Sequence, residues 1–408
     1  MKDVPLLGRR KRRDARRTFQ QIAQLDIKRK PQGMSKKPKG LQQTYQVRLY
    51  PTPEQGRLLM AHCQEYISTV NVLSSALDVD LIPRDDTFST KDFTAVLPSC
   101  VKNQALRDAR SVFKRSLDLD VLPILKKPIC QWNNQNWHIE DGTLIVPVVL
   151  GGKTQQLHIR CAEVSLDGLP GILRIKKKRG KWIADITMTL PNPTPVSTER
   201  VMGVDLGIKV PAVAYVRGVG TRFYGNGRYQ RMMRRRFYAH RKKLQQARKT
   251  RAIRKSRGKE ARWMKNMNHQ LSRQIVNHAQ EQGVGTIKVE ALTGIRKNTT
   301  RTSGGASARK NNRMQNSWSF YQLTMFLTYK AERLGIKVEQ VDPAYSSQEC
   351  PACSARHKAQ DRTYVCADCG WMGHRDKVGA INISRRAGLP DKRASATGAR
   401  GSARGRAA

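Results

Sequence analysis

Cys350-Pro-Ala-Cys353 and Cys366-Ala-Asp-Cys369 stand as two pairs with twelve residues between them. Thiolates spaced two apart on tight turns, presented twice, make the ligand set of a tetrahedral four-cysteine zinc site. Four protein ligands close such a site, so the zinc would hold structure and do no chemistry. A redox dithiol needs one pair and gives no reason for a second. The remaining cysteines, Cys63, Cys100, Cys130 and Cys161, are scattered and read as ordinary buried thiols of a reducing compartment.

The charge balance says more about partners than about fold. Lys and Arg number 77 against 31 Asp and Glu, a formal net charge of +46 over 408 residues. Such a chain seeks phosphate-rich surfaces, nucleic acid or anionic membrane. No run approaches the ~18 continuous apolar residues of a membrane span. The basic N-terminus lacks the apolar segment of a secretory leader. A wholly disordered basic protein is excluded, because the charge is unevenly spread between well-patterned apolar segments and 38% of the residues are hydrophobic.

Residues 1–43 carry "GRRKRRDARR" and "KRKPQGMSKKPKG" with too little apolar content to fold, and are expected to be a disordered extension, either a solvated arm or an RNA contact. "YQVRLY" (45–50) reads as a strand ended by Pro51. Thr52-Pro53-Glu54-Gln55 then supplies an N-cap, a first-turn proline and a capping-box glutamine. Leu59, Cys63, Tyr66, Val70, Leu73 and Leu77 follow at helical spacing. A second helix is expected from Ser99 to Leu117. From 130 to 191 the pattern is of strands, with Asp141-Gly142 and Gly151-Gly152 as hairpin turns, giving a small β-barrel or sandwich. Pro191-Asn192-Pro193-Thr194-Pro195 is a stiff linker.

Beyond it, strands at 201–206, 210–216 and 220–224 form a meander. One long helical stretch is predicted over 226–282, then a strand at 286–292, a flexible basic loop, a helix at 317–335 and a strand at 336–343. The tail from about 388 reads as disordered. Three antiparallel strands, a helix, a strand, a helix and a strand give the order of an RNase H-like α/β domain. Asp205 lies within "VMGVDLGIKVPAVAYV" (201–216), Glu290 near the end of "TIKVEAL", and Asp376 opens a last helix, "RDKVGAINISRR". Carboxylates at strand ends and a helix start converge while far apart in sequence, and oxygen clusters of that kind hold Mg²⁺. Two such ions about 4 Å apart clamp the attacking and leaving oxygens of a phosphodiester. A lone Asp in an apolar strand is otherwise a hydrogen-bonded core or turn carboxylate; the joint placement favours the metal.

Between Arg228 and Arg262 there are sixteen Lys or Arg and one acid. Arg234, Arg235, Arg236, Lys242, Lys243, Arg248 and Arg251 are the candidate nucleic-acid contacts, directed to backbone phosphates rather than bases. Tyr229, Phe237, Tyr238 and Trp263 are interleaved with them, for apolar packing or base stacking.

"QVRLYPTPEQ", "GVDLGIK" (203–209), "IKVEAL" (287–292), "VDPAYSSQECPAC" (341–353) and "RDKVGAINI" (375–383) together resemble the transposon-associated TnpB family and the miniature type V CRISPR effectors, over about 45–390. The resemblance implies an RNA-guided DNA endonuclease whose RuvC-like domain (197–343 and 373–390) uses Asp205, Glu290 and Asp376 to hold two catalytic Mg²⁺ ions. It implies a wedge β-barrel at 44–52 and 126–196, a helical recognition domain at 53–125, and a zinc-ribbon target-nucleic-acid-binding element at 344–372. The tail, 391–408, stays disordered. Its partners would be a guide RNA, from a CRISPR array or a transposon end, and target DNA flanked by a short motif, with one protein copy per RNA and no membrane. The compartment would be the prokaryotic cytoplasm. Relatives often read H-D-R-D-x-N-A-A before the last helix; here His374 and Val378 replace an Asp and an Asn, which bears on cleavage strength. The alternatives are an RNA-guided repressor with little or no cleavage, a guide-free RNase H-like resolvase, and a basic structural nucleoprotein.

Overall fold

In the computed structural model, residues 40–84, 87–292 and 320–389 are described, and the chain divides into two units, Met1–Asn192 and Pro193–Ala408. The expected extension lies outside the described residues except at its end, as do the basic loop and the tail. That end is already sheet: β1 (Leu41–Leu49) pairs antiparallel along its whole length, with Leu41 opposite Leu190. The pairing partner, rather than the local apolar content, recruits residues 41–44 into the fold.

Helix α1 (Pro53–Asp78) starts as its sequence dictates. The Thr52 hydroxyl accepts the Gln55 N–H at 3.3 Å, and the Gln55 side chain accepts the Thr52 N–H at 3.1 Å. A cap of this kind is worth about 1 kcal/mol. Leu59, Cys63, Tyr66, Val70, Leu73 and Leu77 are all buried on one face, with α2 (Ser99–Leu119) packed beside it. Then come β2 (Ile129–Trp132), β3 (His138–Glu140), β4 (Thr143–Leu150), β5 (Lys153–Arg160), β6 (Leu169–Lys178) and β7 (Lys181–Leu190). They form a four-stranded sheet, β1-β7-β6-β2, and a three-stranded one, β3-β4-β5. Asp141-Gly142 and Gly151-Gly152 take the left-handed conformation that two-residue hairpins require. The sheets and helices close over one core, which includes Trp132, Leu144, Ile175 and Ile186.

In the second unit a mixed sheet runs β10-β9-β8-β11-β12. Its members are β8 (Val201–Asp205), β9 (Ala212–Val216), β10 (Gly220–Tyr224), β11 (Thr286–Glu290) and β12 (Lys337–Val341). The first three are antiparallel; β11 is parallel to both β8 and β12. The single helix expected over 226–282 is three: α3 (Gly227–Gln246), α4 (Thr250–Ser256) and α5 (Lys259–Glu281). The breaks fall at Arg248 and Gly258, both left-handed, and uninterrupted positive charge gave no pattern that marked them. Helix α6 (Phe320–Glu332) packs with α5, and their apolar faces join the sheet in a second core. The short hairpin of β13 (Thr363–Val365) and β14 (Met372–His374) runs directly into α7 (Arg375–Arg385).

Candidate active site and metal centre

Asp205 and Glu290 are the last residues of β8 and β11. These strands are parallel neighbours with Val204 level with Val289, so both carboxylates leave the sheet at one edge. The carboxyl ends of parallel strands are where α/β sheets open to ligands. Helix α7 crosses β8 and β9 closely. A Cβ on Gly203 would meet the Ala380 carbonyl oxygen at 2.1 Å, and one on Gly379 would stand 3.1 Å from the Asp205 Cγ. That approach brings Asp376, in the first turn of α7, to the same place. Asp205, Glu290, Asp376, Ser346, Arg362 and Arg375 line a cleft of about 590 Å³.

Each acid is held differently. The Ser346 hydroxyl donates to Glu290 Oε1 at 2.5 Å, and Asn382 of α7 fixes Ser346 by donating to its carbonyl at 2.8 Å. Arg362, from between the cysteine pairs, donates to Asp376 Oδ2 at 2.6 Å. The Asp376 N–H in turn donates to His374 Nδ1 at 3.2 Å, so His374 caps α7 as an Asp would. Among the described residues no hydrogen bond reaches the Asp205 carboxylate. Burial, followed by the charges of Glu290 and Asp376, drives its pKa well above the usual carboxylate range, against the pull of Arg375 and Arg362. Burial also raises Glu290, with Ser346 and Arg386 opposing. An oxygen-only donor set whose charges repel and whose central member lacks a partner suits a hard divalent cation. The acids are more widely spaced than the thiols. Among the described residues, the groups whose ligand atoms all lie within 4.8 Å are the four cysteines and the set His357, Cys366 and Asp368.

The cysteines meet the demands of zinc. Cys350 and Cys369 Sγ are 3.6 Å apart and Cys353 and Cys366 Sγ 3.5 Å, close to the roughly 3.8 Å edge of a tetrahedron with 2.3 Å zinc–sulfur bonds. Cys350, Cys366 and Tyr364 are buried against Val378 of α7. The Val378 departure from the family pattern therefore fills the seam between this element and the helix that carries Asp376.

The basic helices divide by role. Arg234 is half-buried and paired with Glu260 at 3.1 Å, beside Arg241 at 2.6 Å. Arg235, Arg236, Lys242, Lys243, Arg248 and Arg251 are exposed or half-exposed. Of the interleaved aromatics, Tyr229 and Phe237 face Trp263, with ring centroids at 5.9 and 6.2 Å, so these three pack on one another. Sequence reasoning missed Ser346 and Arg362. Ser346 sits inside the "AYSSQEC" motif, but Arg362 carries no local signal: only the fold brings it to Asp376.

Parts of this chain match families and proteins already known. Residues 320–383 match the family model described as Cas12f1-like, TNB domain, and residues 185–296 match the one described as probable transposase, OrfB_IS605. The chain is 29% identical over 225 residues to the CRISPR-associated endodeoxyribonuclease Cas12f1 of Sulfoacidibacillus thermotolerans, covering 51% of this chain and 50% of that protein. It is 26% identical over 364 residues to Cas12f1 of Syntrophomonas palmitatica, covering 74% and 71%. It is 30% identical over 130 residues to the TnpB-like protein MJ0751 of Methanocaldococcus jannaschii, covering 32% and 45%. The chain thus spans about half the length of the first of these relatives. Its fold is similar to that in a Cas12f1–sgRNA–target DNA complex, at a TM-score of 0.62 and 14% identity over 81% of this chain and 82% of that one. The chain is therefore similar in sequence to Cas12f1 and TnpB-like proteins and has a Cas12f1-like mixed α/β fold. Among the described residues no helix is long and apolar enough to cross a membrane.

Proposed function

We propose that this protein is an RNA-guided DNA endonuclease that hydrolyses phosphodiesters of target DNA in an RNase H-like, RuvC-type site. The observation that carries the reading is the meeting of Asp205 and Glu290, at the ends of adjacent parallel strands, with Asp376 at the start of a helix pressed onto the same sheet. Asp205, Glu290 and Asp376 would hold Mg²⁺, which when bound supplies activation of water and neutralisation of the charge developing on phosphate. The chain's own groups prepare that site. Ser346 fixes one Glu290 oxygen and leaves the other to the cleft. Gly379 gives Asp205 room. Arg362 and Arg375 bring positive charge to the cleft that would receive a phosphodiester. The cysteine-bound zinc would be structural, holding the hairpin that leads into α7. Guide RNA and a displaced or paired DNA strand suit the exposed cations of α3 and α4, and the first unit would hold the RNA scaffold and read the flanking motif.

A guided binding protein with little cleavage is the second reading. It is favoured by the Arg362–Asp376 ion pair, which engages one oxygen of a candidate metal ligand. One experiment separates the two. The protein is purified with its native locus, the copurifying RNA is sequenced, and the complex is given plasmid carrying the matching target with Mg²⁺ or with EDTA. Cutting that needs a discrete guide and Mg²⁺, and that Asp205→Ala abolishes without loss of target binding, is expected. Guided binding without cutting selects the second reading, and heterogeneous RNA overturns both.

A further inference from the structure

Helix α6 turns Leu323, Phe326, Leu327 and Ala331 into the core. Its opposite face carries Tyr321, Met325 and Tyr329 at four-residue spacing, with relative exposures of 81%, 45% and 38%. One exposed tyrosine is ordinary; an exposed row of two rings and a thioether is not. We propose that this face is a stacking platform for single-stranded DNA on its way to or from the carboxylate cleft. The inference rests on the nuclease reading for the identity of the strand, but not for the existence of the platform.

Three observations point to this occupant. Tyr329 is firmly mounted: Phe326 stacks on His269 of α5 at 3.9 Å, and Tyr329 meets Phe326 edge to face at 6.0 Å, while Tyr321 projects into solvent one turn and more away. Cations border the row. Burial raises the Tyr329 phenol while the nearby Arg273 and Arg333 guanidiniums pull it back, and Lys265 lies close enough to His269 to act on it in the same way. Arg273, Arg333 and Lys265 are exposed. Aromatic faces beside cations are the two halves of a single-strand site: bases stack on the rings and phosphates meet the charges. A second copy of the chain would bring the same positive charge to the same face, in a molecule of net charge +46. Finally, the row begins one residue after Phe320, which lines the cleft with Asp205 and Glu290. A strand lying along the row would pass Phe320 at the rim of the cleft, and under the nuclease reading that strand is DNA.

The test uses the full chain in EDTA, at about 0.3 M salt, where backbone attraction is weak. The probe is an oligodeoxynucleotide carrying 2-aminopurine, whose fluorescence is quenched by stacking. The wild type is expected to bind and quench. The Tyr321→Ala/Tyr329→Ala double variant should bind about tenfold more weakly or worse and lose the quench, while Tyr321→Phe keeps both. Both tyrosines are at the surface, and an unchanged melting temperature with unchanged mass by light scattering would show the fold intact. Binding and quenching by the double variant equal to wild type would overturn the platform. So would a tyrosine effect confined to the oligoribonucleotide of the same sequence, or one that changes the oligomeric state instead. If the wild type stacks DNA through these tyrosines yet cuts no guided target in Mg²⁺, the nuclease reading fails and the platform stands. Guided cutting without tyrosine-dependent stacking gives the reverse.

Discussion

Asp205 destabilises the metal-free protein by being where it is. Burial first, and the charges of Glu290 and Asp376 next, hold its folded pKa well above the ordinary 3.8. Above that pH the folded state keeps a proton the unfolded chain has lost, so stability is greatest below the unfolded value and falls as pH rises. Asp205→Asn removes the penalty at little change of shape. In EDTA at pH 7 it should melt higher than wild type by a few degrees, the shift that about 1 kcal/mol gives in a domain this large, and the difference should vanish below about pH 4. Magnesium should raise the wild-type transition and leave that of the Asn variant nearly unmoved. Calorimetry across pH checks both; an Asn variant that melts lower at every pH would mean a structural hydrogen bond rather than a metal ligand. The same residue also shows what its sequence disclosed. A carboxylate in an apolar strand is visible as an anomaly from local pattern. Its neighbours Ser346 and Arg362 are ordinary residues in polar loops, and no local pattern marks a contact made across 56 residues from Ser346 to Glu290.

At the scale of elements, the site depends on how closely α7 lies on β8. Two glycines stand at that crossing, and the structure predicts different outcomes for them. A Cβ at Gly203 would lie 2.1 Å from a backbone oxygen, so the helix must move. Gly203→Ala should cost about 1–3 kcal/mol and abolish cleavage. At Gly379 the nearest atom is the Asp205 carboxylate at 3.1 Å, which can rotate away. Gly379→Ala should therefore cost less stability than Gly203→Ala and still cut poorly; paired melting and cleavage assays separate the two. The four-cysteine element couples to the same helix, because β14 continues into α7 and Cys350, Tyr364 and Cys366 pack on Val378. Stripping zinc, or Cys350→Ser, should loosen α7 as well as the hairpin, read as faster amide exchange over residues 363–385 and lost cleavage. Exchange confined to the hairpin would mean that the helix stands without it. Strands, caps and hairpin turns were legible because each is set by a few adjacent residues, as at Thr52–Gln55. The breaks at Arg248 and Gly258 were not, since a basic run has no apolar period to interrupt, and the early start of β1 was set by Leu190, far along the chain.

For the whole molecule the governing quantity is charge, and the sequence states its total without saying how much is spent internally. The net charge is +46, yet some of the cations counted toward a polyanion are tied to the fold. Burial pushes Glu260 up, but Arg241 and Arg234 together hold it below the usual carboxylate range, and that triad joins α3 to α5. Arg234 thus belongs to the scaffold, while Lys242 and Lys243, a short way along α3, are exposed. Salt dependence distinguishes the two roles. Each cation that neutralises a phosphate adds roughly 0.7 to the slope of log affinity against log salt for a single strand and about 0.9 for a duplex. Lys242→Ala and Lys243→Ala should each weaken binding of the copurified RNA and flatten that slope by about one, with an unchanged melting temperature. Arg234→Ala should leave the slope as it is and lower the melting temperature of the second unit, because it strips Glu260 of one partner in a half-buried pair. Equal slopes for all three variants would show that α3 does not lie along the nucleic acid, and would move the search for the polyanion's path to the exposed cations of α4. A flattened slope for Arg234→Ala would mean that its pair with Glu260 opens on binding.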